Sequence, residues 1–137
     1  MSEMIRVEIC APEKLKLELE AQEVLCPGED GIFSVRYGHT PLLTTLVPGV
    51  ILVKDKAGEE QFYATSGGFA EIEPDKVLVL ADSYEAGTDV DEERAKQAEE
   101  RAQMRLRKPE PETDMKRAEL ALYKAMARLK AARRVGY

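Results

Sequence analysis

A thiol beside an imidazole is the simplest nucleophile and base that a chain can offer, and here the candidates are few. Cys10 and Cys26 are the only cysteines and His39 the only histidine. Nucleophilic catalysis needs the base within hydrogen-bond reach of the nucleophile, and nothing in the spacing of Cys26 and His39 brings them together. One histidine and two widely spaced cysteines supply neither a histidine-rich metal site nor a zinc site nor a disulfide framework. Both cysteines lie in apolar segments, which predicts buried, inert thiols and a cytosol-like compartment. Phosphate chemistry finds no motif either: the chain has no G-x-x-x-x-G-K-[ST] loop, and Ser66-Gly67-Gly68 does not complete a G-x-G-x-x-G fingerprint. There is no G-x-S-x-G nucleophile elbow. The expectation is a non-catalytic protein with no metal and no required cofactor.

Charge is the remaining chemical signal. The net charge of −6 hides an asymmetry: residues 1–100 carry 9 basic and 22 acidic side chains, a net of −13. Residues 101–137 carry 11 basic and 4 acidic, a net of +7. A basic tail on an acidic body suits an acidic partner surface or an anion. Nucleic acid is not expected, because the bulk is acidic and the tail lacks interleaved aromatic residues.

The elements that must position these groups come in two kinds. In Leu15-Lys16-Leu17-Glu18-Leu19-Glu20-Ala21 apolar and charged residues alternate, as in a strand with one wet face. Residues 5–10, 32–35, 49–54, 61–65, 69–72 and 76–81 read as further short strands. Pro27-Gly28, Pro48-Gly49, the segment 55–58 and Glu73-Pro74-Asp75 supply turns between them. Pro48-Gly49 suits a type II turn with positive φ at Gly49. Gly67-Gly68 inside a strand pattern predicts a bulge or a close backbone approach. Many short strands without intervening helices predict an antiparallel β-sandwich or barrel over residues 1–87.

The period changes near residue 88, and residues 88–137 read as an antiparallel helix-turn-helix hairpin. Asp89 and Glu92 form a capping arrangement, with Asp91, Glu92 and Glu93 favouring a helix N-terminus. The first helix runs to Lys108, where Pro109 and Pro111 stop it. Thr113 or Asp114 caps the second. Its apolar residues Met115, Ala118, Leu122, Ala125, Leu129 and Ala132 recur at spacings of 3, 4, 3, 4 and 3, a heptad-like seam. Ala95, Ala98, Ala102 and Leu106 offer a thinner matching stripe. An alanine seam buries little area at ~25 cal/mol per Å², so a hairpin that opens and a hairpin fixed on the sandwich both fit the sequence.

The 137 residues suffice for one domain with an appendage, and 44% apolar with 34% charged residues describes an ordinary soluble chain. No apolar run approaches the ~20 residues of a membrane-spanning helix. The start, Met1-Ser2-Glu3-Met4-Ile5-Arg6, is neither a secretory signal nor a transit peptide.

Four segments, in order, carry a family resemblance: Gly38-His39-Thr40-Pro41-Leu42-Leu43-Thr44 with Leu46-Val47-Pro48-Gly49, then Tyr63–Phe69, then Val79-Leu80-Ala81-Asp82, and finally Val90-Asp91-Glu92-Glu93-Arg94-Ala95. They are similar to the G-H-x-P-L-L-[ST]-x-L-x-P-G and [IL]-D-x-x-R-A signatures and the segments between them in the epsilon subunit of bacterial F-type ATP synthases, counterpart of the mitochondrial delta subunit. Two departures stand out. Ile32 occupies a position where many members carry an acidic residue, and Tyr37 one where a proline precedes Gly-His.

The resemblance implies a rotor subunit of a proton-translocating synthase, peripheral on the cytoplasmic face of the bacterial plasma membrane and touching the membrane only through the complex. Its sandwich would join the gamma subunit to the polar loops of the c ring, with Ile32, His39, Thr40 and Pro41 at that interface. Its hairpin would permit ATP hydrolysis when packed on the sandwich. Extended along gamma, it would block hydrolysis by setting Arg128, Lys130, Arg133 and Arg134 against acidic segments of the catalytic beta subunits. Some members bind ATP in the folded hairpin as a regulatory ligand. The matching positions here are Glu85, Asp91, Arg94, Arg101 and Arg128, with Lys124 where an arginine is expected. The residues alone leave blander readings open: a structural His39, an Asp91 and Arg94 that merely share a helix face, and basic residues that only complement a helix C-terminus. A β-sandwich and coiled-coil adapter, or an ATP-sensing module outside any motor, also fits the composition.

Overall fold

The alternation that marks Ile5–Cys10 as a strand is read out directly in β1, where Ile5, Val7 and Ile9 are buried. A computed structural model of the chain describes residues 3–136; Met1 and Ser2 of the chain's start, and Tyr137 at the end of the hairpin segment, lie outside the described residues. The strands that follow are β2 (Leu17–Gly28), β3 (Gly31–Val35), β4 (Leu42–Leu46), β5 (Gly49–Asp55), β6 (Glu60–Thr65), β7 (Gly68–Glu73), β8 (Lys76–Ala81) and β9 (Tyr84–Ala86). Two helices close the chain, α1 (Glu92–Arg107) and α2 (Met115–Ala132).

The strands form one hydrogen-bonded sheet in the order β1-β8-β7-β4-β2-β5-β6-β9, with β3 on β2 and a further β1–β2 pairing. That pairing folds the sheet into two layers. β2 turns the corner: its first half, from Leu17 to Ala21, pairs with β1, and its second half pairs with β3 and β5. The register shifts between Ala21 and Glu23, where an extra residue bends the strand between layers. Ile5, Val7, Ile9, Val24, Val35, Ile51, Val53, Ile72, Val77 and Val79 fill the space between the layers.

The antiparallel sandwich is as expected, with β1–β8 a parallel pair. Other details differ. β2 does not stop at Ala21 but runs through Pro27-Gly28, which pair with Ile32 and Gly31 across β3. It also starts later, at Leu17, and leaves Leu15 in the preceding loop at 93% exposure. β4 and β9 carry no alternation strong enough to read; long-range pairing with β7 and β6 makes them strands. Gly49 has no positive φ and begins a strand. Glycine is needed there because a Cβ would stand 2.6 Å from Cβ of Pro27. The segment 55–58 turns as predicted: Asp55 Oδ1 accepts from the Ala57 and Glu59 amides at 2.9 and 3.0 Å.

β5 shows why the hairpin belongs here. Four consecutive residues, Val50–Val53, are buried. Ile51 and Val53 face the inter-layer core, whereas Val50 and Leu52 join Phe62, Ala64, Ala127 and Ala131 in a second apolar cluster beneath α2. In α1, Asp91 and not Asp89 is the N-cap; its Oδ1 accepts from the Arg94 amide at 3.1 Å, while Asp89 sits in a 3-10 turn over Gly87–Asp89. Asp114, rather than Thr113, caps α2, accepting from the Arg117 amide at 3.1 Å. Thr113 Oγ1 instead accepts from the Glu110 amide at 3.0 Å. Along the seam Ala95, Ala102, Ala118, Ala125 and Leu129 are buried, but Met115 is exposed. A second α2 face, Ala127 and Ala131, meets the sandwich. The core of the sandwich is built of Ile and Val, the hairpin contacts largely of alanine. Since apolar burial contributes ~25 cal/mol per Å², the hairpin is the less stable unit.

Cys26 is fully buried, and burial pushes its thiol up to about 12. Cys10 is only half-buried, which corrects the expectation of two buried thiols. An alkylating reagent at neutral pH is therefore expected to label Cys10 and to reach Cys26 only after global unfolding. Two labels per native chain in a mass spectrum would contradict this placement.

Candidate ligand-binding site

β9 brings the chemistry to one edge of the sandwich. It pairs with β6 so that Thr65 faces Tyr84 and Ala64 faces Glu85 in register. Thr65 is buried; its Oγ1 donates to a carbonyl, with Gly67 O at 3.2 Å and Ser83 O at 3.1 Å, and it accepts from the Gly67 amide at 3.1 Å. Ser66 Oγ and Ser83 Oγ are 2.6 Å apart. Beside this hydroxyl-rich floor lies a cavity of about 500 Å³, walled by Arg94 of α1 and by Lys124 and Arg128 of α2. The last two stand at i and i+4, on one face of the helix. Lys14, from the loop between β1 and β2, and Glu85 complete the ring of charge.

Arg128 Nε lies 3.0 Å from Glu85 Oε1, tying α2 to β9 with both side chains about one-third exposed. At that exposure the pair contributes little net stability. Four cations and a single carboxylate line the cavity. The volume falls within the 300–1,000 Å³ range usual for small-molecule sites.

Four of the positions singled out in the sequence, Glu85, Arg94, Lys124 and Arg128, therefore converge. Two do not. Asp91 is not among the residues lining the cavity, and its Oδ1 caps α1. Arg101 lies nearly two turns beyond Arg94 on α1 and lines a shallow groove with Gln97, Glu100, Met104 and Arg105, away from the cavity. Lys14, Ser66 and Ser83 were not foreseen, because a loop some 70 residues distant in sequence and a three-residue edge strand bring them in.

The other expected interface residues fall in separate places. Ile32, 53% exposed, lies at the β2–β3 turn. His39, Thr40 and Pro41 follow the opposite end of β3, where the Gly38 amide donates to Pro74 O at 2.6 Å in the β7–β8 turn. His39 Nδ1 is 2.6 Å from Thr40 O. Arg133 pairs with Glu92, and Arg134 Nη2 donates to Glu60 O at 3.0 Å while its guanidinium lies 5.0 Å from the Phe62 ring centre. Lys130 lines a separate cavity with Ile32, Tyr123 and Met126.

The sandwich face away from the hairpin carries exposed apolar side chains. Leu43, Phe69 and Leu80 are more than half exposed, and Phe69 and Leu80 are register partners across β7 and β8. On the same layer Glu8 is buried beneath Lys76 and Lys16, at 3.0 and 3.4 Å. The bond from Lys76 chiefly, and that from Lys16, hold its carboxyl below the usual range.

Fold and site together define a β-sandwich with a docked helical hairpin and an electropositive cavity at their junction. Family models for the beta-sandwich domain and the long alpha-helix domain of the ATP synthase Delta/Epsilon chain match residues 4–87 and 88–133. The chain is 45% identical to the ATP synthase epsilon chain of Moorella thermoacetica over 93% of its own length and 96% of the relative's. It is 41% identical to that of Desulforamulus reducens over 96% and 99%. It belongs to the ATP synthase delta/epsilon chain family, as an epsilon-type subunit. A chain in the Euglena gracilis mitochondrial ATP synthase (OSCP/F1/c-ring) shares the fold, with a TM-score of 0.82 at 22% identity over 96% of this chain and 82% of that one. Among the described residues no helix is long and apolar enough to cross a membrane.

Proposed function

We propose that the chain is a non-catalytic central-stalk subunit of a proton-translocating F-type ATP synthase, held at the cytoplasmic face of the bacterial membrane through the complex. Its sandwich couples the gamma subunit to the c ring, and its hairpin is a brake on ATP hydrolysis that bound ATP holds in the released position. The exposed Leu43, Phe69 and Leu80 on the face opposite the hairpin suit an apolar partner surface, which fits gamma. Ile32 and the His39–Pro41 loop remain for the c ring, at two places rather than one.

The docked hairpin carries the brake reading. A switch needs two arrangements within a few kcal/mol of each other. Here alanine contacts and the exposed Arg128–Glu85 pair hold the hairpin to the sandwich, and the exposed Arg133–Glu92 pair ties the end of α2 to the start of α1. Exposed pairs contribute ~0–1 kcal/mol each, so exchanging them for acidic segments of the beta subunits costs little. Arg128, Arg133 and Arg134 are engaged when docked and become available to those segments, with Lys130, on extension.

Truncation after Asp89 tests this. In a reconstituted catalytic assembly the truncated chain should still bind gamma, and ATP hydrolysis should rise about fivefold, the effect of removing a bias of about 1 kcal/mol. Unchanged hydrolysis with gamma bound would leave only the coupling role.

A further inference from the structure

The cavity at the junction holds more positive charge than its own carboxylate answers. Arg128 is paired with Glu85, but Lys14, Arg94 and Lys124 form no salt bridge among the described residues. Like charges converging on one space repel one another, and a bound polyanion relieves that repulsion. Arg94, Lys124 and Arg128 belong to the hairpin, whereas Lys14 belongs to the sandwich.

The loop that carries Lys14 is built to present it. Glu13 has φ +61°, and the Lys14 amide donates to Ala11 O at 3.3 Å, so the chain turns sharply after β1. Tyr84 OH donates to Leu15 O at 3.2 Å, and Lys14 Nζ donates to Tyr84 O at 2.6 Å. Two bonds thus hold the loop against β9, with the ammonium 4.2 Å from the Tyr84 ring centre. An ammonium has three donors; the bond to Tyr84 O uses one, and Lys14 lines the cavity with no carboxylate partner among the described residues.

We infer that Lys14 is a phosphate-contacting residue of this site, so that a nucleoside polyphosphate bridges the sandwich loop and both helices of the hairpin. The inference rests on the nucleotide reading given above and adds to it a cation from the sandwich. Glu85, the one acid in the ring, suits the hydrogen-bond donors of a base or ribose, and Lys14 joins the cations that take the phosphates. A ligand gripped from both sides binds the docked arrangement in preference to the extended one.

Calorimetric titration of the intact chain with ATP, ADP and adenosine tests this, using Lys14→Gln, Lys14→Arg, Tyr84→Phe and Lys130→Gln. Lys14→Gln should weaken ATP binding about tenfold, the worth of one charge-assisted hydrogen bond to phosphate. It should weaken ADP less and leave adenosine unmoved, with Lys14→Arg largely restoring ATP affinity. Tyr84→Phe loosens the loop without removing its charge and should weaken ATP binding, though less than Lys14→Gln does; Lys130→Gln removes a charge outside the cavity and should bind ATP as the parent does. ATP binding by Lys14→Gln within twofold of the parent, or an equal loss in Lys130→Gln, overturns the assignment of Lys14. Absence of ATP binding by the unaltered chain overturns the nucleotide reading itself, and this inference with it.

Discussion

Replacing Gly68 by alanine should lower the melting temperature of the intact chain by about 15 °C or more. Gly68 opens β7 and lies between two partners, pairing with Leu46 of β4 and Ala81 of β8. Its φ is +141°, where an L side chain is strained at a cost of ~1–3 kcal/mol. Crowding is the second cost. A Cβ there would stand 2.1 Å from Leu80 O and 2.9 Å from Ala81 Cα, both backbone atoms that cannot rotate away. Overpacking of this kind adds ~1–3 kcal/mol. The two together come to about 4 kcal/mol, and in a domain of this size each kcal/mol moves the midpoint by roughly 4–8 °C. Gly31 separates the two causes, because it has φ +128° with nothing within 4 Å of its would-be Cβ. Gly31→Ala should therefore show the torsional cost alone and a clearly smaller shift in a circular-dichroism melt. A Gly68→Ala protein melting within about 3 °C of the parent, or equal to Gly31→Ala, would remove the steric argument.

Gly68 also shows what was legible in the sequence. Two glycines inside a strand pattern announce a bulge or a close approach. The β7–β8 register runs unbroken from Gly68↔Ala81 to Glu73↔Lys76, so the approach is the correct alternative. Local signals of this kind served well: β1 and β8 have their expected ends, and two prolines separate the helices. What depends on distant partners was hidden. Pro27-Gly28 has the composition of a turn, but pairing with β3 keeps it extended. Gly49 looks like a turn glycine, yet it is needed because Pro27, on another strand, lies against it. Family resemblance supplied Glu85, Arg94, Lys124 and Arg128, which do meet. It could not show that Asp91 Oδ1 caps α1 with the residue outside the cavity lining, nor that Arg101 lies beyond the cavity. Lys14 is the opposite case. No local pattern marks it, and only the β1–β2 loop lying against β9 places it at the site.

Gly87→Val should release the hairpin while leaving the sandwich folded. Gly87 lies beneath the last turn of α2, where a Cβ would stand 2.3 Å from Ala131 O and 2.7 Å from Ala131 C. Ala131 O cannot easily move, since the Arg134 amide donates to it at 3.2 Å in the turn that ends the helix. A valine adds two methyl groups to that clash. The relief open to the molecule is for α2 to lift, taking Ala127 and Ala131 off Val50, Leu52, Phe62 and Ala64. Each alanine methyl contributes only ~0.8 kcal/mol of burial, so an overpacking cost of about 2 kcal/mol is comparable with what holds the hairpin down. Such a shift changes the docked-to-undocked ratio about 30-fold. Amide exchange in α2 should accelerate by about that factor, while the inner amides of β1 and β5 keep their protection. The effect on function distinguishes a brake from a brace. If the extended hairpin is the inhibitory form, Gly87→Val should lower ATP hydrolysis of the reconstituted assembly, whereas truncation after Asp89 raises it. Two lesions of one element then act with opposite signs, because one deletes the brake and the other sets it. A rise in hydrolysis with both would show that the docked hairpin is not the permissive state, and the assignment of Arg128, Lys130, Arg133 and Arg134 to the extended one would fall with it.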